Sequence, residues 1–355
     1  MTAAHKHLLI ASMEACSGKS AILLGLADKL QQQGVEISYS KPLGNYYENG
    51  QGQEEADVGL MRQWLGLTAS QVFMPLVGLT AETQRQRLIG ADTEDYQSLL
   101  LEQVTVPDRL LCIEGGSNLW EGRSFQLSTA QIAQVADATV LLVMRYQSIQ
   151  SIERLLTAQD LLGDRLLGVV INDVPPEDMA LVSQEISPAL EKYGIAVLGV
   201  LPQNRTLRSV SVGELVKRLQ AEVLCCPERS DLLVESLSIG AMNVSAALDY
   251  FRRARCMAVV TGGDREDIQL AALETSTQCL ILTGHLSPQS YIIRRAEDLE
   301  IPIISVNFDT LTTVEVVEDA FARIRIQEPV KVAIIRQLMA EHFQFDRFAK
   351  LLEAK

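Results

Sequence analysis

A short stretch near the start of the chain has the residue types and spacing of a phosphate-binding loop. Positions 12–20 read Ser-Met-Glu-Ala-Cys-Ser-Gly-Lys-Ser, after an apolar run at 8–12 and before a helix pattern that begins at 19. At such a junction glycine lets backbone N–H groups approach a phosphate, lysine reaches its outer oxygens, and a serine hydroxyl holds Mg²⁺. We therefore predict a nucleotide site formed by Ser17, Gly18, Lys19 and Ser20.

The loop departs from the complete phosphate-binding pattern at its first position. The pattern G-x-x-x-x-G-K-[ST] requires glycine where this chain has Met13. The alternative interpretation is an ordinary turn followed by a serine that starts a helix. The position of the loop between an apolar strand and a helix favours phosphate binding, because this chemistry requires that context.

Polar side chains at the ends of other predicted strands are candidates for the same crevice. Glu114 ends the strand RLLCIE, Lys41 ends VEISYSK, and Asn172 ends LLGVVIN. A magnesium–nucleotide site needs carboxylates near the carboxyl ends of adjacent strands, and an Asn amide can pair with adenine. The alternatives are a solvated strand end for Glu114 and a turn residue for Asn172.

A second junction of strand, loop and helix lies between positions 256 and 276. The strand CMAVVT leads into the loop GGDRED, and the helix pattern IQLAALETS follows. Backbone N–H groups at the helix start, together with Arg265, can receive an anion. We predict a second ligand site formed by Gly263, Asp264 and Arg265. The alternative is that Asp264 only caps the helix.

These candidate sites depend on alternating strands and helices that span most of the chain. Over the first 220 residues, β-rich runs such as ATVLLVMR and IAVLGVLPQ alternate with helix patterns such as SIERLLTAQDLLG. Strands separated by helices require right-handed crossovers, and continuously apolar strands are covered on both faces of their sheet. The predicted fold class is α/β: a doubly wound, mainly parallel sheet of the P-loop NTPase type, with a second, smaller α/β domain.

The stretch VLCCPERSD, with paired cysteines, a proline and charges, marks the predicted domain boundary. We predict a nucleotide-binding domain over 1–221, a smaller domain over 222–327 and a C-terminal helix over 328–355. Apolar positions of that helix are Ile334, Ile335, Leu338, Phe345, Phe348 and Leu352. Such a stripe belongs either to the core of the chain or to an interface, and we predict a homo-oligomer.

Composition excludes several classes of protein. The 355 residues contain 31 Lys and Arg against 45 Asp and Glu, and the resulting net charge of −14 disfavours a nucleic-acid partner. No apolar run approaches the roughly 18 residues of a membrane span, and the first residues lack the pattern of a signal peptide. Six cysteines without a CxxC spacing are typical of reduced thiols, so we predict a cytoplasmic protein.

The order of the motifs resembles the dethiobiotin-synthetase-like ATPase domain. The shared features are the loop ending in GKS, strands ending in KP at 41–42 and EGG at 114–116, and the runs GVVIN and VLGVLPQN. They cover about residues 6–220. The resemblance implies ATP and Mg²⁺ as cofactors.

The same resemblance assigns roles to individual residues. It implies that the metal is held by Ser20, Asp57 and Glu114. It implies that Asn172 contacts adenine. It leaves the catalytic residues unknown, with Lys19, Lys41 and Glu114 as candidates.

The second unit resembles the DRTGG domain. The resemblance rests on GAM at 240–242, TGGDR at 261–265 and LTG at 282–284. In long bacterial phosphotransacetylases this domain follows the synthetase-like domain and the pair is regulatory, while the acetyl-transferring domain lies beyond it. The resemblance therefore implies the regulatory half of such a protein, and we expect this chain to lack the acetyltransferase domain.

Three functions are compatible with these patterns. The first is a nucleotide-binding regulatory or sensor protein that binds ATP and Mg²⁺ at the first loop, takes a second nucleotide or metabolite in the second domain, and acts through a protein partner or its own assembly. The second is an ATP-dependent ligase that activates a carboxylate by phosphoryl transfer, as dethiobiotin synthetase does. The third is a structural assembly protein with a relic ATPase fold. The stretch LGNYYENGQGQEE after Pro42 differs from that of the synthetases, which favours the first function and leaves a weak ATPase activity open.

Overall fold

The computed structural model describes residues 7–44, 55–105, 109–322, 326 and 328–355. In these ranges no helix is both long enough and apolar enough to cross a membrane. The chain forms two compact units, of which the first contains residues 1–203 and 326–355 and the second contains residues 204–325. Both units are α/β, which confirms the predicted fold class.

The first unit is built on a sheet whose seven described strands are all parallel to their neighbours. Their order is β4-β2-β6-β1-β7-β8-β9, and the short strands β3 and β5 pair separately. The strands are β1 (His7–Ser12), β2 (Ile37–Ser40), β3 (Leu43–Gly44), β4 (Val72–Phe73), β5 (Val77–Gly78), β6 (Leu110–Glu114), β7 (Ala138–Arg145), β8 (Leu166–Val174) and β9 (Val197–Pro202).

Helices connect these strands and cover the sheet. They are α1 (Lys19–Gln32), α2 (Ala56–Leu65), α3 (Ala81–Leu88), α4 (Tyr96–Val104), α5 (Thr129–Val135), α6 (Ile149–Leu162), α7 (Met179–Leu181) and α8 (Ser187–Lys192). Leu8, Leu9 and Ile10 of β1 are all completely buried. Because successive side chains of a strand point to opposite faces, this burial requires cover on both faces of the sheet.

The second unit has a smaller sheet of five described strands in the order β11-β16-β15-β14-β13. Only the edge strand β11 runs antiparallel to its neighbour. The five strands are β11 (Glu222–Cys225), β13 (Ser236–Ile239), β14 (Met257–Gly262), β15 (Thr277–Thr283) and β16 (Ile303–Ser305), and the short strands β10 (Val210–Ser211) and β12 (Leu233–Val234) pair separately. The helices are α9 (Val212–Leu219), α10 (Val244–Phe251), α11 (Glu266–Leu273), α12 (Ser290–Asp298) and α13 (Thr310–Ala322).

The C-terminal region is two helices and not the single helix predicted from the sequence. They are α14 (Pro329–His342) and α15 (Phe345–Ala354). Phe343 is extended between them, forms a β-bridge with Gly199, and is followed by Gln344, whose N–H bonds to the carbonyl oxygen of Leu198. The break therefore exists because the chain pairs with β9 at that point. The apolar residues Ile335, Phe348 and Leu352 are buried within the first unit.

The compact units divide the chain after Gln203, whereas the sequence pattern places the boundary after Ala221. The reason is local packing in the second unit. Strand β10 pairs with β12, and α9 packs against α13, so residues 210–219 belong with the elements that follow them.

Candidate functional site

The first loop connects β1 to α1 and is held by a side chain from β8. Gly18 caps α1 with a backbone φ of 95°, a left-handed conformation that glycine adopts at little cost. Asn172 donates from Nδ2 to the carbonyl oxygen of Ser17 at 2.9 Å. An ideal Cβ on Gly18 would lie 2.3 Å from that same Nδ2, so a side chain at position 18 does not fit. The structure thus brings Ser17, Gly18 and Asn172 together.

Lys19 is the first residue of α1 and reaches back across the loop. Its Nζ donates to Oγ of Ser12, the last residue of β1, at 2.9 Å. Burial lowers the pKa of the Lys19 ammonium, and the charge of Glu114 opposes this shift. An ammonium group that has lost water and is bonded to a hydroxyl gains stability when an anion approaches it.

Glu114, at the end of β6, is 3% exposed and accepts two hydrogen bonds. Ser20 donates from Oγ to Oε1 at 2.7 Å, and the Tyr39 hydroxyl donates to Oε2 at 2.9 Å. Burial raises the pKa of the Glu114 carboxyl, and the nearby charge of Asp57 raises it further. Burial also raises the pKa of the Tyr39 phenol, with a further contribution from Glu114. This carboxyl is therefore a buried, hydrogen-bonded group, unlike the solvated strand end of the alternative interpretation.

Lys41 lies directly after β2 and is only 3% exposed. Its Nζ lies 2.6 Å from Glu55 Oε1 and also pairs with Asp57 Oδ2. Burial alone lowers the pKa of Lys41, but three neighbouring carboxylates, led by Glu114, outweigh burial and raise the pKa above its ordinary value. Glu55 also caps α2, since its Oε2 accepts the backbone N–H groups of Asp57 and Val58 at 2.9 and 3.0 Å.

These contacts join five of the predicted residues into one cluster. Its members are Lys19, Ser20, Lys41, Asp57 and Glu114. Sequence reasoning missed three residues that complete the cluster, Ser12, Tyr39 and Glu55. A signal exists for two of them. Tyr39 lies two positions before Lys41 in the run VEISYSK, and Glu55 lies two positions before Asp57 in the same acidic stretch.

The residues that replace the opening of the phosphate-binding pattern anchor the loop. Met13 is 8% exposed and belongs to the hydrophobic core. Glu14 accepts the backbone N–H of Arg145 at 3.0 Å and pairs with Arg154 at 3.1 Å. The loop is therefore fixed to the end of β7 and to α6 without the first glycine of the pattern.

The donor atoms of the cluster are of the types that bind a magnesium–nucleotide unit. Among the residues that the structure describes, no three or more His, Cys, Asp or Glu side chains gather as a metal site. The predicted set instead combines the hydroxyl of Ser20 with the carboxylates of Asp57 and Glu114. Mg²⁺ commonly takes one or two carboxylates and completes its shell with phosphate oxygens and water. The residues present therefore fit this cofactor.

In the second unit, the loop GGDRED connects β14 to α11 and runs close to neighbouring backbone. An ideal Cβ on Gly263 would lie 2.3 Å from the carbonyl oxygen of Leu286. The buried Gln269 donates from Nε2 to the carbonyl oxygens of Gly262 and Gly263 at 3.0 and 3.1 Å. The backbone shape of this loop is thus fixed by close packing and by a side chain from α11.

The charged residues of this loop are arranged around Arg265. Its guanidinium pairs with Asp267 through Nε and Nη2, at 2.9 and 3.0 Å, and donates to the carbonyl oxygen of Met242 at 2.9 Å. The N-cap residue of α11 is Arg265, without a capping side-chain hydrogen bond, and Asp264 is exposed. The alternative role of Asp264 as a helix cap is therefore not what the structure shows.

A doubly wound parallel sheet with a Gly-Lys-Ser loop between β1 and α1, and a carboxylate at the end of the adjacent strand β6, defines a P-loop protein. Family models give a more specific assignment: residues 6–211 match the AAA domain and residues 214–320 match the DRTGG domain. The chain belongs to the AAA domain family and carries a DRTGG domain in its second part. The predicted order of a synthetase-like P-loop domain and a DRTGG domain is confirmed.

The similarity to curated relatives extends over both the AAA domain and the DRTGG domain of this chain. The phosphate acetyltransferase of Synechocystis sp. is 28% identical over 313 residues, which are 82% of this chain and 44% of the relative. That of Nitratidesulfovibrio vulgaris is 27% identical over 362 residues, 95% of this chain and 50% of the relative. The predicted resemblance to phosphotransacetylases is confirmed, and the chain spans about half the length of the curated relatives it matches.

Among solved structures, a similar chain is the regulatory region of Clostridium perfringens pyrophosphatase. That structure contains CBS and DRTGG domains in complex with the activator diadenosine tetraphosphate. The two chains are 17% identical, with a TM-score of 0.29, and the match covers 48% of this chain and 85% of that chain.

Proposed function

We propose that this chain is a nucleotide-binding regulatory or sensor protein that binds ATP with Mg²⁺ at the loop between β1 and α1. The observation that carries the proposal is the 2.7 Å contact of Ser20 with the buried Glu114, beside Lys19 at the start of α1. A hydroxyl, a carboxylate and a lysine at this junction are the groups that bind a phosphate–magnesium unit.

In this proposal each group of the first site has a defined task. The loop backbone and Lys19 bind the phosphates, while Ser20, Asp57 and Glu114 hold the metal, which neutralises phosphate charge when bound. The hydroxyl of Ser17 supports a polar ligand, because it is buried and has no hydrogen-bond partner among the described residues. Buried polar groups of this kind call for a partner.

The ion pairs of Lys41 favour a regulatory role over phosphoryl transfer. Phosphoryl transfer needs cations that are available to the developing charge of the transition state. Lys41 is paired with Asp57 and with the buried Glu55, which is not among the proposed metal ligands, so it would have to leave Glu55 to serve that purpose even when Asp57 holds the metal. Most of the stretch that follows Pro42, where the synthetases bind their substrate, lies outside the described residues and adds no support to the ligase function.

The resemblance to the regulatory half of phosphotransacetylases suggests how the second domain contributes. We propose that a second nucleotide or a metabolite binds at Gly263, Asp264 and Arg265, where an anion would compete with Asp267 for the Arg265 guanidinium. The response would pass to a second copy of the chain or to a protein partner.

The proposal is tested by titrating the purified chain with ATP in the presence and absence of Mg²⁺, using isothermal calorimetry. We expect Mg²⁺-dependent binding that is lost in Lys19→Ala and retained in Lys192→Ala, which removes the same charge from an exposed position of α8. Absence of ATP affinity in the unmodified chain, or equal binding by the two variants, would contradict the proposal. Native mass measurement with and without ATP then reports whether assembly responds to the nucleotide.

A further inference from the structure

A cavity of about 490 Å³ opens at the amino-terminal ends of strands β14, β15 and β16. The GGDRED loop lies at the opposite, carboxyl-terminal end of β14. Its lining includes residues that precede β12, β14 and β16, such as Arg229, Cys256 and Glu300, and residues from the start of β15. The cavity and the GGDRED loop are therefore separated by the length of β14, which is about five residue steps or about 17 Å. The volume lies within the range of about 300–1,000 Å³ that is usual for small-molecule sites.

Two arginines line this cavity, and neither is fully used by the protein. Arg229 lies 3.5 Å from Glu300 through Nη2, while its Nε is buried and has no hydrogen-bond partner among the described residues. Arg255 is exposed. Burial and the charge of Glu235 raise the pKa of the neighbouring Cys256 thiol, and the charge of Arg255 opposes them. Because the Arg229 side chain is 37% exposed and lines the cavity, its guanidinium is accessible to an anion there.

The helix ends beside the cavity leave these arginines available. The last-turn carbonyl of Ala272 in α11 already accepts the hydroxyls of Thr275 and Thr277, both at 2.7 Å. At the end of α12, the backbone N–H groups of Glu300 and Ile301 bond to carbonyl oxygens of the last turn. These hydrogen bonds satisfy the carbonyl oxygens of Ala272, Ala296 and Glu297, so the arginines are not drawn to them. The negative ends of the two helix dipoles oppose an anion, so its binding depends on the two arginines.

Apolar residues supply the rest of the lining. Leu273 and Ile301 are buried, and Leu299 and Leu232 complete this part of the wall. The formal charges of the lining are two guanidinium groups against the single carboxylate of Glu300, which leaves one positive charge in excess. A ligand that matches both the arginines and the apolar residues of the lining has one anionic group attached to an apolar group.

We propose that this cavity is a binding site for a small organic acid, whose carboxylate or phosphate is bound by Arg229 and Arg255 and whose apolar part packs on the leucines. The site is independent of the nucleotide sites proposed above. Guanidinium groups bind both kinds of anion through paired N–H donors. Since the whole chain carries a net charge of −14, attraction of the acid depends on these two local charges and weakens as salt is added.

Cys256 provides a local reporter, because its thiol lies in the lining and is only partly buried. The experiment measures the rate of Cys256 alkylation, peptide by peptide, by mass spectrometry on the full chain. The test compounds are phenyl phosphate, phenylacetate, inorganic phosphate and the neutral benzyl alcohol. The exposed Cys16 in the first loop is read in the same samples and reports binding there separately.

We expect phenyl phosphate or phenylacetate to slow Cys256 alkylation in a saturable manner, with little effect of benzyl alcohol and a weaker effect of inorganic phosphate. Whichever of the two acids protects better identifies the anionic group that the site prefers. Arg255→Gln should weaken that protection about tenfold, which corresponds to about 1.4 kcal/mol. Arg252→Gln, which removes an exposed charge outside the lining, is the matched control.

Three results would overturn the proposal. They are equal protection by benzyl alcohol and the acids, no protection of Cys256 by either acid, and equal affinity in the Arg255→Gln and Arg252→Gln variants. Arg229→Gln gives a second, independent measurement at the partly buried arginine, and its thermal unfolding shows whether the variant is folded. Failure of the acid site would leave ATP binding at the first loop unaffected, since the two sites share no residue.

Discussion

Replacing Gly18 by alanine tests the geometry of the first loop directly. The change adds a Cβ at a residue whose φ is +95°, and it places that atom 2.3 Å from Asn172 Nδ2. Left-handed backbone costs an alanine about 1–2 kcal/mol. Overpacking against a held neighbour costs about 1–3 kcal/mol more. We therefore expect Gly18→Ala to lower the free energy of unfolding of the first unit by about 2–5 kcal/mol.

Gly34→Ala separates the two contributions. Gly34 also follows a left-handed path, with φ +84°, but nothing lies within 4 Å of the position of its missing Cβ. This variant should lose only the backbone contribution, about 1–2 kcal/mol. The difference between the two variants is the cost of the contact with Asn172.

The assay is urea unfolding followed by tryptophan fluorescence. Both tryptophans of the chain, Trp64 and Trp120, belong to the first unit, so the signal reports that unit alone. In an Asn172→Ala background, Gly18→Ala should cost less than in the unmodified chain, because the clash is gone and only the backbone strain persists. Equal losses for Gly18→Ala and Gly34→Ala, together with no coupling to position 172, would refute the close approach of the loop and β8.

Three further changes probe other parts of the first unit. Lys41→Met should destabilise it by about 3–5 kcal/mol in urea unfolding, because the buried Glu55 is left without its counter-ion. A loss below about 1 kcal/mol would contradict a buried ion pair between Lys41 and Glu55. Arg347→Met should cost about 1 kcal/mol or less near pH 7. The hydrogen bond from Arg347 lowers the pKa of Glu191 below 4.5, so the stabilisation that the pair provides is present above pH 4.5. As the pH falls further, the difference in the free energy of unfolding between Arg347→Met and the parent should fade, and a difference that is constant with pH would contradict the pairing. Gly25→Ala places a Cβ 2.5 Å from Met339 Cγ and should destabilise the unit by about 1–2 kcal/mol. In a Met339→Ala background the loss should be smaller but not abolished, because Met339 Cβ and Ile335 Cγ2 remain 3.2 Å from the added Cβ, and calorimetric melting that shows equal losses in both backgrounds would disprove the contact with Met339 Cγ.

The sequence predicts the elements of the first site well because each signal is local. The apolar strand, the Gly-Lys-Ser stretch and the helix pattern are adjacent in the chain, and the structure has β1, the loop and α1 in that order. Placing Glu114 in the same crevice also succeeds, since carboxyl ends of neighbouring parallel strands share one edge of a sheet. The pairing of β1 with β6 brings these residues together.

What the sequence does not predict depends on contacts between distant residues. The break at Phe343 follows from pairing with Gly199, which no pattern within the last thirty residues indicates. The Glu55–Lys41 pair bridges two segments and depends on how α2 returns to β2. The compact units likewise divide before β10 because of its pairing with β12, a contact that composition does not encode.

The two lysines of the cluster occupy different electrostatic positions, and this difference bears on function. Lys41 Nζ is paired with two carboxylates, and its raised pKa reflects that compensation. The hydrogen-bond partner that the described residues give Lys19 Nζ is the hydroxyl of Ser12, and burial lowers its pKa. A phosphate oxygen would replace a neutral partner for Lys19, whereas it would have to displace carboxylates from Lys41. Phosphate binding therefore improves the interactions of Lys19 and costs those of Lys41, which favours nucleotide binding at the loop over a mechanism that draws Lys41 into phosphoryl transfer.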